Sequence, residues 1–369
     1  MKKLLFGAYS LDIGGIEKAL VILVNKLQEK GYDITLVLEK RQGIFLNEIN
    51  PKIKIIEYAP SNSKNKIQRK IINLIKRIKF TLKNKNKYDF SASFATYSLP
   101  ASFVARTASK NCYLWGHADY LTLFDGNAEE MKEFFIERNY DKFKKIIFVS
   151  KEGKESFIKV FPEMKEKTMV CNNLIDADKI LELSKEKIPE EDLLKINKLE
   201  NTQKETTTFI NVGRHQEKQK KLSRLIEAST MLKKDNMNFK IIFIGDGPET
   251  EEYKKQVRNN QLENNIIFLG KKQNPYPYFK IADCVVLTSD YEGYPVVFLE
   301  SFILEKPIIT TKVSDYQEVE NKYGFVTEKD TKDIYEKMKN FILNGFEIKE
   351  KFDYKKYNEE ILKKIEDLI

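Results

Sequence analysis

Two carboxylates stand eight positions apart in the run Glu292-Gly-Tyr-Pro-Val-Val-Phe-Leu-Glu300. The apolar run Cys284–Leu287 before them reads as a strand, and Thr288–Tyr291 as the loop that leaves it. Pro295 suits the first residue of a helix, where its missing N–H costs nothing. A helix over Pro295–Leu304 would turn free N-terminal amides, with those of Gly293 and Tyr294, toward an anion, and its dipole favours negative charge there. Glu300 falls inside that helix beside Phe298, Leu299 and Phe302, where a carboxylate needs partners to offset lost hydration. Two adjacent hydroxyls, such as those of a ribose, would satisfy it. Glu292, ahead of the helix, could accept hydrogen bonds from a second polyol. A wholly helical path between the two acids would span ~12 Å, which suits a sugar at one end of a diphosphate and a ribose at the other. Two ordinary surface glutamates are the plain alternative.

A second constellation is Asn211-Val-Gly-Arg-His-Gln-Glu-Lys-Gln-Lys-Lys-Leu222. A strand ends near Gly213, a loop carries Arg214, and Lys220 opens a helix over Lys220–Leu232. Arginine grips phosphate oxygens with its fork and lysine adds a compact charge, so the two can neutralise a departing diphosphate without a metal. Lys218 and Lys221 offer the same charge beside Lys220, and an exposed basic loop is the alternative. Adjacent Gly14 and Gly15, between a first strand and a first helix, allow close approach of backbone to ligand. The dinucleotide fingerprint G-x-G-x-x-G is absent after that strand, which argues against a nicotinamide enzyme. His117, in Trp115-Gly-His-Ala-Asp119, ends a strand, where open α/β sheets bind ligands; His215, beside Arg214, reads as a neighbour rather than a catalyst.

These residues need a scaffold, and short apolar strands alternating with amphipathic helices supply it. The pattern implies parallel sheets covered on both faces. It runs from Lys3 to Asn172, is interrupted by the Lys- and Glu-dense stretch Asp178–Glu205, and resumes at Thr207. The expected organisation is a Rossmann-like domain over 1–177, a charged hinge with one or two short helices over 178–206, and a second Rossmann-like domain over 207–353. A last amphipathic helix over 354–369 is expected to pack back on the first domain.

The totals bound the possibilities. A length of 369 residues fits two domains. A net charge of +9, from 64 basic and 55 acidic residues, suits a polyanionic partner: nucleic acid, an anionic membrane face or a diphosphate. Nucleic acid leaves Glu292 and Glu300 unexplained, so none is expected. Cys112, Cys171 and Cys284 lie far apart in apolar runs and form no CxxC pair, so neither a metal site nor a disulfide framework is expected. No run approaches the ~20 apolar residues of a membrane span, and the first residues read as a strand rather than a signal peptide; a cytoplasmic location is the expectation. Lys64–Phe80 repeats Ile67, Ile71, Leu74, Ile75 and Ile78 at helical spacing, with lysine and arginine between them. Such a helix either covers the sheet with its apolar face or lies in an anionic lipid surface at the inner face of a plasma membrane.

The E-x7-E spacing with Gly and Pro inside it resembles the motif of the family 4 retaining glycosyltransferases. The Gly213-Arg214…Lys220…Leu225-Ile226-Glu227-Ala228 run resembles that family's diphosphate-binding segment, although Lys221 stands where the family often has glycine. Gly14-Gly15-Ile16-Glu17 resembles its GG-x-E loop, and Gly245-Asp-Gly-Pro-Glu249, Phe268-Leu-Gly270 and Asn173-Leu-Ile-Asp176 echo further segments. Asp176-Ala-Asp178 spells D-x-D, a metal motif of other transferases, but falls inside that last link. The resemblance implies a GT-B fold, two Rossmann-like domains facing across a cleft. It implies a nucleotide-sugar donor, UDP-sugar favoured, on the second domain and a glycan or lipid-linked acceptor on the first. It assigns Arg214 and Lys220 to the diphosphate, Glu292 and His117 to the donor sugar, and Glu300 to the ribose. Gly14, Gly15, Gly293, Tyr294 and Pro295 line the donor, transfer proceeds with retention, and neither metal nor other cofactor is required. A nucleotide-sugar epimerase of the same fold, or an inactive sugar-nucleotide-binding partner subunit, is the alternative.

Overall fold

The computed structural model describes residues 1–12, 14–198 and 206–369. The chain divides into two compact units, Met1–Ile175 with Lys355–Ile369, and Asp176–Tyr354.

The first unit is built on β1 (Lys3–Ala8), β2 (Asp33–Leu38), β3 (Lys54–Glu57), β4 (Phe90–Ser93), β5 (Cys112–Gly116), β6 (Lys145–Phe148) and β7 (Thr168–Val170). They form one sheet in the order β3-β2-β1-β4-β5-β6-β7, parallel throughout. A parallel sheet is covered on both faces, so its strands read as continuous apolar runs; Leu4, Leu5 and Phe6 are wholly buried in succession. The helices are α1 (Gly15–Glu29), α2 (Lys66–Asn84), α3 (Leu99–Ala108), α4 (Tyr120–Leu123), α5 (Ala128–Glu137) and α6 (Lys151–Val160). The periodicity gave no sign of α5, whose Met131 and Phe135 are buried in an aromatic cluster with Phe143, Phe148 and Phe157.

The helix α2 departs from the covering role. It buries only Phe80 and Asn84, whereas Ile67, Ile71, Leu74, Ile75, Ile78 and Leu82 are 45–78% exposed. Its apolar stripe therefore faces away from the sheet. The C-terminal helix Tyr354–Glu366 does the opposite and buries Ile361, Leu362 and Ile365. Asn358 exchanges two hydrogen bonds with Ile175, at 3.0 and 2.8 Å. Beyond it, the Leu368 carbonyl accepts from Asn111 Nδ2 at 2.8 Å and the Tyr113 hydroxyl at 3.1 Å.

The second unit contains β8 (Thr207–Val212), β9 (Phe239–Ile244), β10 (Ile266–Phe268), β11 (Cys284–Leu287), β12 (Ile308–Thr311) and β13 (Gly324–Thr327). Their order is β10-β9-β8-β11-β12-β13, again parallel; β13 was not foreseen. Its helices are α7 (Ala177–Leu183), α8 (Glu190–Asn197), α9 (Glu217–Lys220), α10 (Leu222–Lys234), α11 (Thr250–Asn259), α12 (Tyr276–Ile281), α13 (Val296–Ile303) and α14 (Thr331–Asn344). One core of Phe209, Leu225, Ile241, Phe243 and Met338 fills the space between sheet and helices. In both sheets the strand order reverses beside the first strand, where carboxyl ends open a crevice for ligands.

The expected hinge is corrected in part. Residues 178–198 are counted with the second unit, as α7 and α8, whereas 199–205 lie outside the described residues. The charge pattern hid a buried anchor: Asp192 on α8 is fully buried, bonded to the Tyr278 hydroxyl and to Lys272 Nζ, the latter at 2.5 Å. Burial alone would raise its pKa, but the hydrogen bonds from Lys272 and Tyr278 carry it below the ordinary carboxylate value. The D-x-D acids are structural: Asp176 caps α7 through Lys179 N at 3.3 Å, and Asp178 accepts from the Tyr354 hydroxyl at 3.2 Å.

Candidate functional site

The second unit gathers the sequence-derived candidates at the carboxyl ends of β8 and β11. The helix α9 ends at Lys220, and Lys221 breaks the path to α10 with φ 48° and ψ 46°. Lys220 therefore closes a short helix rather than opening a long one. The left-handed backbone at 221 favours glycine, yet lysine occupies it. The break folds α9 against the loop after β11. The Thr288 hydroxyl donates to the carbonyls of Lys220 and Lys221 at 2.9 and 3.1 Å, and Asp290 N donates to the Gln219 carbonyl at 2.8 Å. Arg224, from α10, holds Asp290 at 2.6 Å.

This strapping delivers Lys220 to Glu292. The Lys220 Nζ lies 2.6 Å from Glu292 Oε1, which also accepts from the Ser289 hydroxyl at 2.7 Å; Gln219 Nε2 reaches Oε2 at 3.3 Å. The Glu292 carbonyl accepts from Ser314 at 2.6 Å. Glu292 is 7% exposed, so these bonds replace its hydration. Ser289, Gln219 and Ser314 were missed by sequence reasoning. Ser289 carried the usable signal, a small hydroxyl residue just beyond a buried strand end.

Glu300 lies one turn into α13, 8% exposed, and accepts from the Tyr276 hydroxyl at 3.0 Å. The helix begins at Val296 with Pro295 as its cap, one residue later than expected. Residues 292–295 are not helical, so the wholly helical spacing between Glu292 and Glu300 does not apply. Pro295 has no N–H to offer; the donors at this end are the amides of Gly293, Tyr294, Val296 and Val297, and the first amides of a helix lack intrahelical acceptors. Tyr276, from α12, was also missed; it follows Asn274-Pro, a turn signal rather than a site signal.

Arg214 is exposed, and its side chain has no hydrogen-bond or ion-pair partner among the described residues. Its loop is held rigidly all the same. His215 is wholly buried, with Nδ1 2.8 Å from the Thr250 hydroxyl and its ring edge-on to Phe243, Tyr253 and Phe268. Burial lowers its pKa and favours the neutral ring. Gly245 and Gly247 let the next loop close over it: a Cβ at Gly245 would meet the Gly213 carbonyl oxygen at 1.8 Å, and one at Gly247 the His215 carbonyl oxygen at 2.0 Å. The Gly-Asp-Gly turn is thus required to seat Arg214.

In the first unit, Gly14 caps α1 in an extended conformation without a side-chain bond; Ile13 lies outside the described residues. The Glu17 carboxylate folds back over this end, 2.1 Å from where a Gly14 Cβ would stand, and accepts from the Tyr97 hydroxyl at 2.9 Å. Gly15 has open space where its Cβ would be. His117 follows β5. Its ring centroid lies 4.5 Å from that of Phe94, and its buried Nε2 has no partner. Burial pushes its pKa down to about 3, against a smaller opposing effect of a hydrogen bond to the Phe94 backbone. Below it, Tyr120 donates to Thr96 at 2.8 Å and Arg138 Nε to the Thr96 carbonyl at 2.6 Å.

Among the described residues no group of three or more His, Cys, Asp or Glu side chains is placed to hold a metal ion. The three cysteines are free and buried. No helix among the described residues is long and apolar enough to cross a membrane.

Comparison with known proteins bears on the second unit most directly. Residues 194–359 match the family of glycosyl transferases group 1. An uncharacterized glycosyltransferase of Methanocaldococcus jannaschii is 31% identical over 166 residues, 45% of this chain and 39% of that protein. The N-acetylgalactosamine-N,N'-diacetylbacillosaminyl-diphospho-undecaprenol 4-alpha-N-acetylgalactosaminyltransferase of Campylobacter jejuni is 26% identical over 181 residues, 49% of this chain and 45% of that protein. The chain thus covers less than half the length of either relative. The crystal structure of Anabaena HepE in complex with UDP and glucose superposes over 99% of this chain and 100% of that one, with a TM-score of 0.76 at 17% identity. The fold is GT-B, two parallel-sheet Rossmann-like units.

Proposed function

We propose that this chain, which carries a group 1 glycosyltransferase domain over residues 194–359, moves a hexose-type sugar from a nucleoside diphosphate to a glycan or lipid-linked acceptor, with retention of configuration. The observation that carries the reading is the cluster at α13. Glu292 and Glu300 are both buried at one helix N-terminus, Glu292 is bound to Lys220, and Arg214 stands without a partner in the neighbouring loop. Arg214 and Lys220 stabilise the negative charge that develops on the leaving diphosphate, and the amides of Gly293, Tyr294, Val296 and Val297 add fixed dipoles. The Lys220–Glu292 pair keeps both groups satisfied without substrate. A donor shares or replaces it, its sugar hydroxyls taking up Glu292 as its phosphates take up Lys220. Glu300 with Tyr276 reads the ribose. His117 orients the sugar as a neutral imidazole, in keeping with its depressed pKa. UDP is the favoured nucleotide, supported by the UDP-bound HepE structure of the same fold. No metal takes part, because the cationic side chains and amides supply the charge.

The exposed stripe of α2 supports a peripheral contact with an anionic membrane. Six apolar side chains on one face with lysine and arginine alongside match a helix lying in a lipid interface.

The test is product analysis with a panel of nucleotide sugars in the presence of EDTA. One diphosphate donor is expected to stabilise the protein thermally and to yield a glycoside of unchanged anomeric configuration. An absolute need for a divalent ion, or an isomerised nucleotide sugar as product, would sink the proposal. Vesicle flotation tests the membrane contact: Leu74→Glu with Ile78→Glu should abolish binding to anionic vesicles.

A further inference from the structure

We propose that Asp192 is a positioning residue for nucleotide recognition. Through it, α7 and α8 clamp the segment Lys272–Tyr278, hold the Tyr276 hydroxyl on Glu300, and so make the site select ribonucleotides over their 2′-deoxy counterparts. This deepens the reading of Glu300 as the ribose contact and rests on it.

Tyr276 opens α12, is buried, and donates from its hydroxyl to Glu300 Oε1. A hydroxyl meets one chosen oxygen only if the backbone behind its ring is held. That backbone is weak by itself. The helix α12 has six residues, and Pro275 caps it without a side-chain bond. So short a helix takes its order from what packs on it.

The holding groups come from the charged stretch. Asp192 on α8, wholly buried, accepts from the Tyr278 hydroxyl and from Lys272 Nζ. Between these two anchors, Asn274 Nδ2 donates to the Leu183 carbonyl at the end of α7 and to Glu186 Oε2, both at 2.8 Å. Asn274 Oδ1 in turn accepts from Tyr276 N at 3.1 Å. Residues 272, 274 and 278 are thus tied to α7 and α8, and the residue that meets Glu300 lies among them. A buried ion pair adds little net stability over an apolar contact of the same size. What it adds is direction, which is what the Tyr276 hydroxyl requires.

Direction matters at Glu300 because a carboxylate pinned at one oxygen keeps its plane. It then accepts from the two neighbouring hydroxyls of a ribose at set angles. Removing the 2′-hydroxyl leaves a buried, fixed acceptor short of a partner, which is the costly case. A carboxylate free to turn would recover with the 3′-hydroxyl alone and discriminate less.

The experiment is calorimetric titration of the full chain with UDP and with 2′-deoxy-UDP. The wild type should bind UDP about tenfold or more tightly, equivalent to ~1.4 kcal/mol. Tyr276→Phe keeps the ring and should bring that ratio to about threefold or less. Asp192→Asn keeps the shape, removes the charge that orients Lys272 and Tyr278, and should do the same. The double variant should fall no further than Tyr276→Phe, because both act through one bond. Met338→Ala opens the core of the same unit away from the clamp and should keep the wild-type ratio, which separates positioning from lost stability. Asn274→Ala cuts the ties to α7 at a half-buried position, so it reports on the clamp even where Asp192→Asn does not fold; it too should lower the ratio. An unchanged ratio in Tyr276→Phe, Asp192→Asn or Asn274→Ala overturns the proposal, as does an equal fall in Met338→Ala. If the wild type binds UDP and 2′-deoxy-UDP equally, the clamp alone fails; if it binds neither, the nucleotide-sugar reading fails and the clamp with it.

Discussion

The two units meet the problem of holding an anion in opposite ways. In the second, the charged groups other than Arg214 are already satisfied: Lys220 by Glu292, Glu292 by Ser289 and Gln219, Glu300 by Tyr276. In the first, a pocket of about 400 Å³ at the ends of β1, β2 and β3 is walled by the rings of Tyr9, Tyr58, Tyr97 and Phe103, and Arg77 and Lys76 reach it with donors to spare. A self-satisfied cluster fixes its geometry before the ligand arrives, so little reorganisation is left for the reacting step. An aromatic pocket with spare donors sets fewer directions and accepts ligands by shape. Under the proposed transfer, the first arrangement suits a constant leaving group and the second a partner that varies.

The largest expected effect tests the constant side. Arg214→Ala and Lys220→Ala should each lower kcat by ~10²–10³, the usual loss when one preorganised charge-stabilising donor is removed. Acceptor KM measured in the same assays should move far less, and a rise confined to that KM, with kcat unchanged, would erase the contrast between the units. Next in size is Asp192→Ala, which strands Lys272 and the Tyr278 hydroxyl in a buried site. It should cost roughly 3 kcal/mol of unfolding free energy, read by chemical denaturation; a change near zero would return α8 to the status of a solvated linker. The histidine of the first unit gives a pH signature. Its pKa is about 3 when folded and near 6.5 when free, so the folded state resists protonation. Stability tied to His117 is fully present above pH ~6.5 and is lost as pH falls toward 3. The wild type should lose stability relative to His117→Gln across that window, and parallel curves would show that the ring is not buried in solution. The smallest effect is Lys221→Gly. Relief of a left-handed residue should raise unfolding free energy by about 1 kcal/mol, because the ion pairs forfeited, at 3.8 and 3.9 Å, are weak.

The same contrast explains what the sequence disclosed. The donor-side candidates lie within two short runs, six residues from Arg214 to Lys220 and eight from Glu292 to Glu300, so spacing alone pointed to them. The strand–helix alternation was equally plain, because parallel strands buried on both faces leave continuous apolar runs. The pocket residues Tyr9, Glu39, Tyr58, Arg77 and Tyr97 come one from each strand tip or helix, and no spacing joins them until the sheet is assembled. Ser289 and Tyr276 were hidden for a related reason, since a hydroxyl at a strand end becomes informative only once its partner carboxylate is located. The charged stretch misled in the other direction. Asp192 looked solvated among lysines and glutamates, and its burial depends on Lys272 and Tyr278, some eighty residues on. In α2 the periodicity foretold an amphipathic helix but not which way its apolar side would turn.

The first unit is discontinuous, with its sheet in residues 1–175 and its closing helix in 355–369. Domains fold as units while the chain emerges from the ribosome, yet this one waits for some 180 further residues before Asn358 reaches Ile175 and Leu368 reaches Asn111 and Tyr113. The second unit, begun later, is complete at Tyr354, before that closing helix is made. Nascent chains arrested before residue 355 should therefore present a protease-sensitive first half beside a resistant second half, and release of the C-terminus should protect both.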